Sequence, residues 1–370
     1  MTRRAILAFL ALAVLAGPPP APAEKRSGGN ATLYVGARPN RILILDEATE
    51  SVTGEIALRA GAPGEMILSG DRRRFYIVAH DLETLEVVDI AARASVDVFR
   101  LGAGDTRVRI AEGIAADPKG RFLILNTRAA TKRVDRFEIG PATLVQYDLE
   151  EHKVSRTVPW PGAQERDEVQ VLLSPDGRLM YLFAEDVFIY ETEGMTQVDR
   201  WELSKPVEPG FGRLDFAAQG DSDEEPGFYS GLFSVQDPVA KRRILGMARI
   251  DLVGKAVDFW TLGPDVPRNR GRGLSVSIAP GRLRAHGLVQ DIGHYEFWTL
   301  DLANHRLLSR TEFKGRPRMR HKVSSNGKLI YVYQAGNTID IYDATSYRLL
   351  RTLELDGETT TQMFVLSSRK

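Results

Sequence analysis

Cysteine is absent from all 370 residues. That excludes disulfides, a lipid-modified cysteine, covalent c-type haem, iron–sulfur clusters and thiolate zinc sites, so packing alone must hold the fold. An excess of either charge is missing too: 49 basic residues stand against 49 acidic ones. No global attraction for nucleic acid or an anionic membrane follows from such a balance, and no nucleic-acid partner is expected. Catalytic signatures are equally scarce. There is no G-x-S-x-G, no Walker loop and no G-x-G-x-x-G ahead of a helix. The histidines, at 80, 152, 286, 294, 305 and 321, show neither the i, i+4 nor the HxH spacing common among metal ligands. Neither a metal site nor a cofactor is expected.

Long apolar runs are confined to the start of the sequence. Met1-Thr2-Arg3-Arg4 precedes an apolar stretch from Ala5 to Ala16, followed by a Pro-rich segment ending Ala21-Pro22-Ala23. Charge, apolar core and small-x-small site come in the order of a secretory signal peptide. The core falls short of the ~20 residues that span a bilayer. Residues 1–23 are therefore read as a signal peptide and residues 24–370 as one domain, periplasmic or secreted; an uncleaved anchor is the alternative reading. Loss of Arg3 and Arg4 with the leader leaves a formal charge of −2. With no later apolar segment of spanning length, stable membrane insertion after cleavage is not expected.

What the chain does have is repetition. Short apolar strands flank tight polar turns in EMILSGDRRRFYIVA from Glu65, GIAADPKGRFLILN from Gly113, VQVLLSPDGRLMYLF from Val169, SVSIAPGRLRAHGLV from Ser275 and HKVSSNGKLIYVYQ from His321. A looser copy starts at Leu214, with an acidic insertion at Asp221 to Glu225. Asp, Asn, Gly and Pro supply the turn conformations and the flanking Val, Ile, Leu, Phe and Tyr suit strands, so each unit reads as a β-hairpin. A second kind of hairpin alternates with the first, turning at Asp46, Asp89, Asp148, Glu191, Asp251, Asp301 and Asp343. A carboxylate there accepts bonds from backbone amides just beyond it, which makes these residues turn formers.

One hairpin of each kind makes a four-stranded sheet of 40 to 50 residues, the signature of a propeller blade. The expected fold is all-β: a seven-bladed β-propeller, or one of six or eight blades if the loose unit at 214–263 is counted differently. The first outer hairpin, preceded only by the strand around Thr32 to Val35, lacks an inner strand, while the C-terminal TTTQMFVLSSRK supplies a single strand with nothing after it. Gln362 to Ser367 matches Gln170 to Ser174 in pattern. The tail is thus expected to close the first blade and latch the ring.

The unit FYIVAHDLETLEVVDIAARASVDVFRLG, Phe75 to Gly102, resembles the YVTN repeat of bacterial propellers. The chain is also similar to the propeller chain of quinoprotein amine dehydrogenases and to related periplasmic propellers. That resemblance implies a scaffold, since the family's quinone is made on a different, cysteine-containing chain. A further relative, the seven-bladed lactonase type, hydrolyses a sugar lactone in its channel, but no motif lets its catalytic residues be carried over.

In a propeller, the connections from one blade's outermost strand to the next blade's innermost strand share a face around the channel entrance. Here they carry Arg107, Arg109, Arg166, Arg213, Arg268, Arg270, Arg272, Arg316, Arg318, Arg320 and His321. Converging guanidiniums grip carboxylates and phosphates, so these residues, Arg166 excepted, are the candidate site for a partner protein or anionic small molecule. His321, opening the last inner strand, is expected at the channel mouth. The alternative pairs the arginines with Asp105, Glu165, Asp167, Glu168 and Asp265. Trp160, Trp201, Trp260 and Trp298 are expected to pack between blades, and His152 and His305 to be solvated turn residues. The leading functional reading is a non-catalytic binding propeller, accessory to a quinone-dependent oxidation pathway. The competing reading is an enzyme, either an amine dehydrogenase large chain or a lactonase-like hydrolase.

Overall fold

A computed structural model describes residues 28–111, 114–166, 169–184, 186–203, 214–216, 225–264, 273–291, 293–316, 318–333 and 336–367. Their strands form seven antiparallel sheets. Six of these are built from consecutive chain segments. The innermost strands are Pro63–Leu68, Ala115–Ala116, Gln170–Leu173, Leu214–Phe216, Leu274–Ile278 and Arg320–Val323. The remaining sheet, the first blade, joins head and tail: Thr359–Leu366 pairs with Thr32–Ala37, which continues into Arg41–Asp46 and Ser51–Ala57. Its register runs from Thr32 opposite Leu366 to Ala37 opposite Thr359. The closing strand therefore begins three residues before Gln362.

The seven apolar clusters correspond to the seven seams between sheets. Leu43 and Met363 of the first blade share one with Tyr331 and Ile341 of the seventh. On the other side of the first blade, Ile42 and Ile44 meet Phe75 and Ile77 of the second. The remaining clusters join second to third, third to fourth, fourth to fifth, fifth to sixth and sixth to seventh. Alternate residues of each middle strand are thus buried against opposite neighbours, which is why Arg41–Asp46 reads RILILD with no polar residue between its ends. At about 1.5–3 kcal/mol per buried large apolar side chain, each seam contributes substantially, and an open ring would leave two faces in water.

The turn carboxylates behave as their positions imply. Asp46 Oδ1 accepts from Thr49 N at 2.7 Å, Asp251 Oδ1 from Gly254 N at 2.8 Å and Glu191 Oε1 from Gly194 N at 2.8 Å. Four residues past each of them comes a non-glycine residue in the left-handed region: Glu50, Arg93, His152, Met195, Lys255, His305 and Tyr347, with φ from 51° to 56°. Such a conformation costs of order 1 kcal/mol or more. Contacts to the preceding blade offset it. Lys255 Nζ lies 2.6 Å from Asp199, His152 Nε2 lies 2.8 Å from Asp97, and Glu50 binds Arg351 across the closing seam. His305 lies 3.0 Å from Asp258 and stacks on Trp260 at 4.4 Å between ring centroids. His152 and His305 are therefore inter-blade contacts rather than freely solvated turn residues.

Tryptophan packing follows the expectation. Trp160, Trp201, Trp260 and Trp298 all lie in or against inter-blade clusters, although Trp298 belongs to a third strand, His294–Asp301, rather than an outermost one. Buried Glu47 adds a polar lock at the closing seam. Its carboxylate accepts Ala31 N at 2.9 Å, Ser325 N at 2.8 Å and Tyr331 Oη at 3.1 Å, together with the Ser325 hydroxyl.

Removing residues 359–370 strips the inner strand from the first blade and takes Met363 and Val365 from one seam and Phe364 and Leu366 from the other. The melting transition of the whole chain, followed by circular dichroism, is expected to fall by tens of degrees or vanish; an unchanged curve contradicts the latch.

Candidate functional site

Antiparallel alternation fixes which segments share a face. A chain that enters each blade at its inner strand and leaves from its outer strand puts the blade-to-blade connections and the turns between second and third strands at one end of the ring. Turns between first and second strands, and between third and fourth, lie at the other end.

Arg107 and Arg109 lie on the entrance face, but on a strand rather than a loop. Thr106–Ile110 pairs with Thr127 to Thr131 of the long second strand of the third blade, Phe122–Lys132. Both side chains are exposed; the nearest acid to Arg107 is Glu83 at 3.8 Å, an ion pair of little weight at that exposure. Arg318 and Arg320 are exposed at the start of the seventh blade. Arg316 is not available in the same way: its guanidinium donates to Thr338 Oγ1 at 2.7 Å and lies 3.7 Å from Asp340. Arg166 donates to Gln164 O at 2.9 Å. Arg213, Arg268, Arg270 and Arg272 fall outside the described residues. The arginines that are described thus form two groups, on the third and seventh blades, which share no seam. Of the acids considered as their partners, Glu165 instead accepts Ala142 N at 2.7 Å, and Asp167, Glu168 and Asp265 lie outside the described residues.

His321 is not at the channel mouth. It is 8% exposed, with Nε2 lying 2.8 Å from the carbonyl of His286 and Nδ1 lying 3.3 Å from Ser275 Oγ, so its ring faces the seam with the sixth blade. Position in the inner strand was legible from the sequence; the side of the strand was not, because Arg320, His321 and Lys322 are all polar and give no alternation to read.

Two polar groupings escaped sequence reasoning. The first lies on the entrance side of the sixth blade. Glu296 accepts two hydrogen bonds from Arg310 at 2.8 Å and one from Trp298 Nε1 at 2.6 Å, and His294 Nε2 lies 2.8 Å away. Hydrogen bonding from Arg310 is the main reason that its carboxyl is held down to about 2. The same carboxylate raises His294. Strand register brings Trp298 opposite Arg310, but only two-residue spacing within His294–Asp301 hints at the set.

The second is a cavity of about 440 Å³ near the axis at the opposite end. Its lining includes Glu225, Arg282, Lys322, Ser324 and Ser325. Glu225 is gripped by Arg249 at 2.5 Å and by Arg282 at 2.6 Å, while Lys322 is 6% exposed. In the seam between the sixth and seventh blades, His286 Nδ1 lies 2.9 Å from Tyr347 Oη, which is itself 2.5 Å from Thr299 Oγ1. Among the described residues no group of three or more His, Asp or Glu side chains could hold a metal ion, and no helix is long and apolar enough to cross a membrane.

No protein-family model and no curated protein matches the sequence. Solved structures do share the fold. The periplasmic gluconolactonase PpgL of Pseudomonas aeruginosa is 13% identical with a TM-score of 0.52, over 92% of this chain and 99% of that one. A functionally unknown protein from Desulfotomaculum acetoxidans is 12% identical with a TM-score of 0.54, over 91% and 99%. Apo AztD from Citrobacter koseri is 11% identical with a TM-score of 0.51, again over 91% and 99%. At these identities the likeness is one of architecture, and the chain is a β-propeller.

Burial, with His321 and Arg284 adding like charge, depresses His286 from 6.5 to about 4. The folded chain therefore holds this ring neutral where the unfolded chain would protonate it. Its contribution is fully present above pH 6.5 and is lost as pH falls toward 4, a change on the order of 3 kcal/mol for a shift of that size. Chemical denaturation of wild type and His286→Gln at several pH values should show the wild type losing the larger amount between pH 7 and pH 4. Parallel losses would contradict the assignment.

Proposed function

We propose that this chain is an exported binding propeller of the YVTN-repeat kind, residues 24–370 forming one domain after loss of the leader. It works in the periplasm as a non-catalytic accessory to a quinone-dependent oxidation pathway. Its entrance face takes an anionic small molecule or the acidic surface of a partner protein. The observation that carries this reading is the exposure of Arg107, Arg109, Arg318 and Arg320 at one end of the ring. Guanidiniums in that setting present planar donors to carboxylates. The repeat resemblance is supported by the unit from Phe75 to Gly102, which contains nearly all of the second, third and fourth strands of one blade.

A second reading, a lactonase-like hydrolase, is favoured by the axial cavity. Its volume of about 440 Å³ suits a small ligand, and buried Lys322 with Ser324 and Ser325 gives it polar walls.

The two readings separate by experiment. Immobilised protein is incubated with periplasmic extract of its host, and the bound proteins and small molecules are identified by mass spectrometry. Wild type should retain an acidic protein or anionic metabolite that is released as salt rises from ~0.05 to ~0.5 M, since screening shortens the reach of exposed charges. A variant with Arg107→Glu, Arg109→Glu, Arg318→Glu and Arg320→Glu should lose it, and equal retention would count against the reading. Glucono-1,5-lactone should survive incubation with pure protein. Turnover abolished by Lys322→Met would establish the hydrolase instead.

A further inference from the structure

The second and third strands of the third blade, Phe122–Lys132 and Phe137–Asp148, run to 11 and 12 residues, against 5 or 6 in the first, second, fourth and seventh blades. Among the described residues the inner strand pairs with Leu123 and Ile124, and the outer strand with Leu144 to Asp148. From Thr127 to Thr143 the hairpin continues past that frame on the entrance face, for about 20 Å at ~3.3 Å per residue. Thr106–Ile110 adds itself along one side, making a three-stranded arm.

Register sorts the arm's side chains. Arg107 is opposite Ala130, which is opposite Ile139; Arg109 is opposite Arg128; Lys132 is opposite Phe137. Period-two alternation therefore collects Arg107, Arg109, Arg128, Lys132, Phe137 and Ile139 on a single face. Phe137 is 66% exposed and Ile139 is 62% exposed. The other face carries Thr106, Val108, Ile110, Thr127 and Thr131, all half-buried or buried. Glu138, also on that other face, is bound by Arg133 at 2.8 Å and Arg136 at 2.7 Å, so this acid is turned away from the basic side.

Protection of an exposed edge accounts for lysines and arginines but not for a bare phenylalanine and isoleucine between them. We propose that this face is the docking surface for a partner protein presenting an acidic rim around an apolar centre. The inference rests on the binding reading above and gives it a place. Cationic residues flank two apolar anchors, so the complementary surface is anionic at its edge and greasy in the middle, the usual anatomy of a protein interface. A lipid surface fits less well. Bilayer insertion favours apolar residues at the leading tip, whereas here Asp135 follows Val134 at the tip and the apolar pair sits behind it on the strand Phe137–Asp148.

The test uses the whole chain and two labelled twelve-residue peptides, one alternating Glu and Phe, the other alternating Lys and Phe, with binding read by fluorescence anisotropy. The Glu–Phe peptide should bind at least about tenfold more tightly than the Lys–Phe peptide. Arg107→Glu with Arg109→Glu should weaken it about tenfold, as should Phe137→Ser with Ile139→Ser, with unchanged melting curves. Arg73→Glu with Lys119→Glu, both exposed in turns at the opposite end of the ring, should leave binding unaltered. Loss in Arg318→Glu with Arg320→Glu but not in the arm variants overturns the arm while sparing an arginine-bearing entrance face. No preference between the peptides in wild type overturns the arm and weakens the reading beneath it. Binding to phosphatidylglycerol vesicles that Phe137→Ser with Ile139→Ser abolishes, without selective peptide binding, would assign the face to membrane and overturn the proposal.

Discussion

A sheet that is apolar on both sides cannot be half of anything that ends. Each blade of this chain needs a neighbour on either face, and seven apolar seams for seven sheets are the outcome of that requirement. The strand from Thr359 to Leu366 satisfies it at the point where the chain would otherwise leave two open surfaces. Polar contacts then specify the alignment that apolar contact alone leaves loose. Glu47 ties the first blade to Ser325 and Tyr331 of the seventh, and the left-handed residue beyond each turn carboxylate reaches to the blade before it.

The ring was legible because its causes are periodic. Turn carboxylates recur at intervals that strand geometry dictates, and alternation between two hairpin types marks inner from outer. The left-handed position was hidden by chemistry: Glu50, Arg93, His152, Met195, Lys255, His305 and Tyr347 share a backbone conformation and a direction of reach, but no side-chain type. The arm was hidden for another reason. Thr106-Arg107-Val108-Arg109-Ile110 alternates as a strand does, yet it interrupts the expected order of blade strands and reads as a connection rich in arginine.

Function was less legible than fold, and for a physical reason. Arginines near one another in a list of loops need not converge in space. Arg107 and Arg109 stand on an arm of the third blade, Arg318 and Arg320 on the seventh, and Arg316 is held by its own blade. His321 shows the same limit within a single strand, since the seam rather than the axis receives its ring. Where the sequence alternates cleanly, as in Phe137-Glu138-Ile139, the facing of each side chain can be worked out, and that is where a binding surface can be argued residue by residue.

Ring closure is the claim on which the rest stands, and amide hydrogen exchange read by mass spectrometry measures it directly. If the tail belongs to the first blade, amides of residues 32–37 and 359–366 should exchange together, at the slow rate of the most protected middle strands such as Tyr76 to Val78. Rapid exchange across 359–366 while the middle strands remain protected would mean that the ring is open.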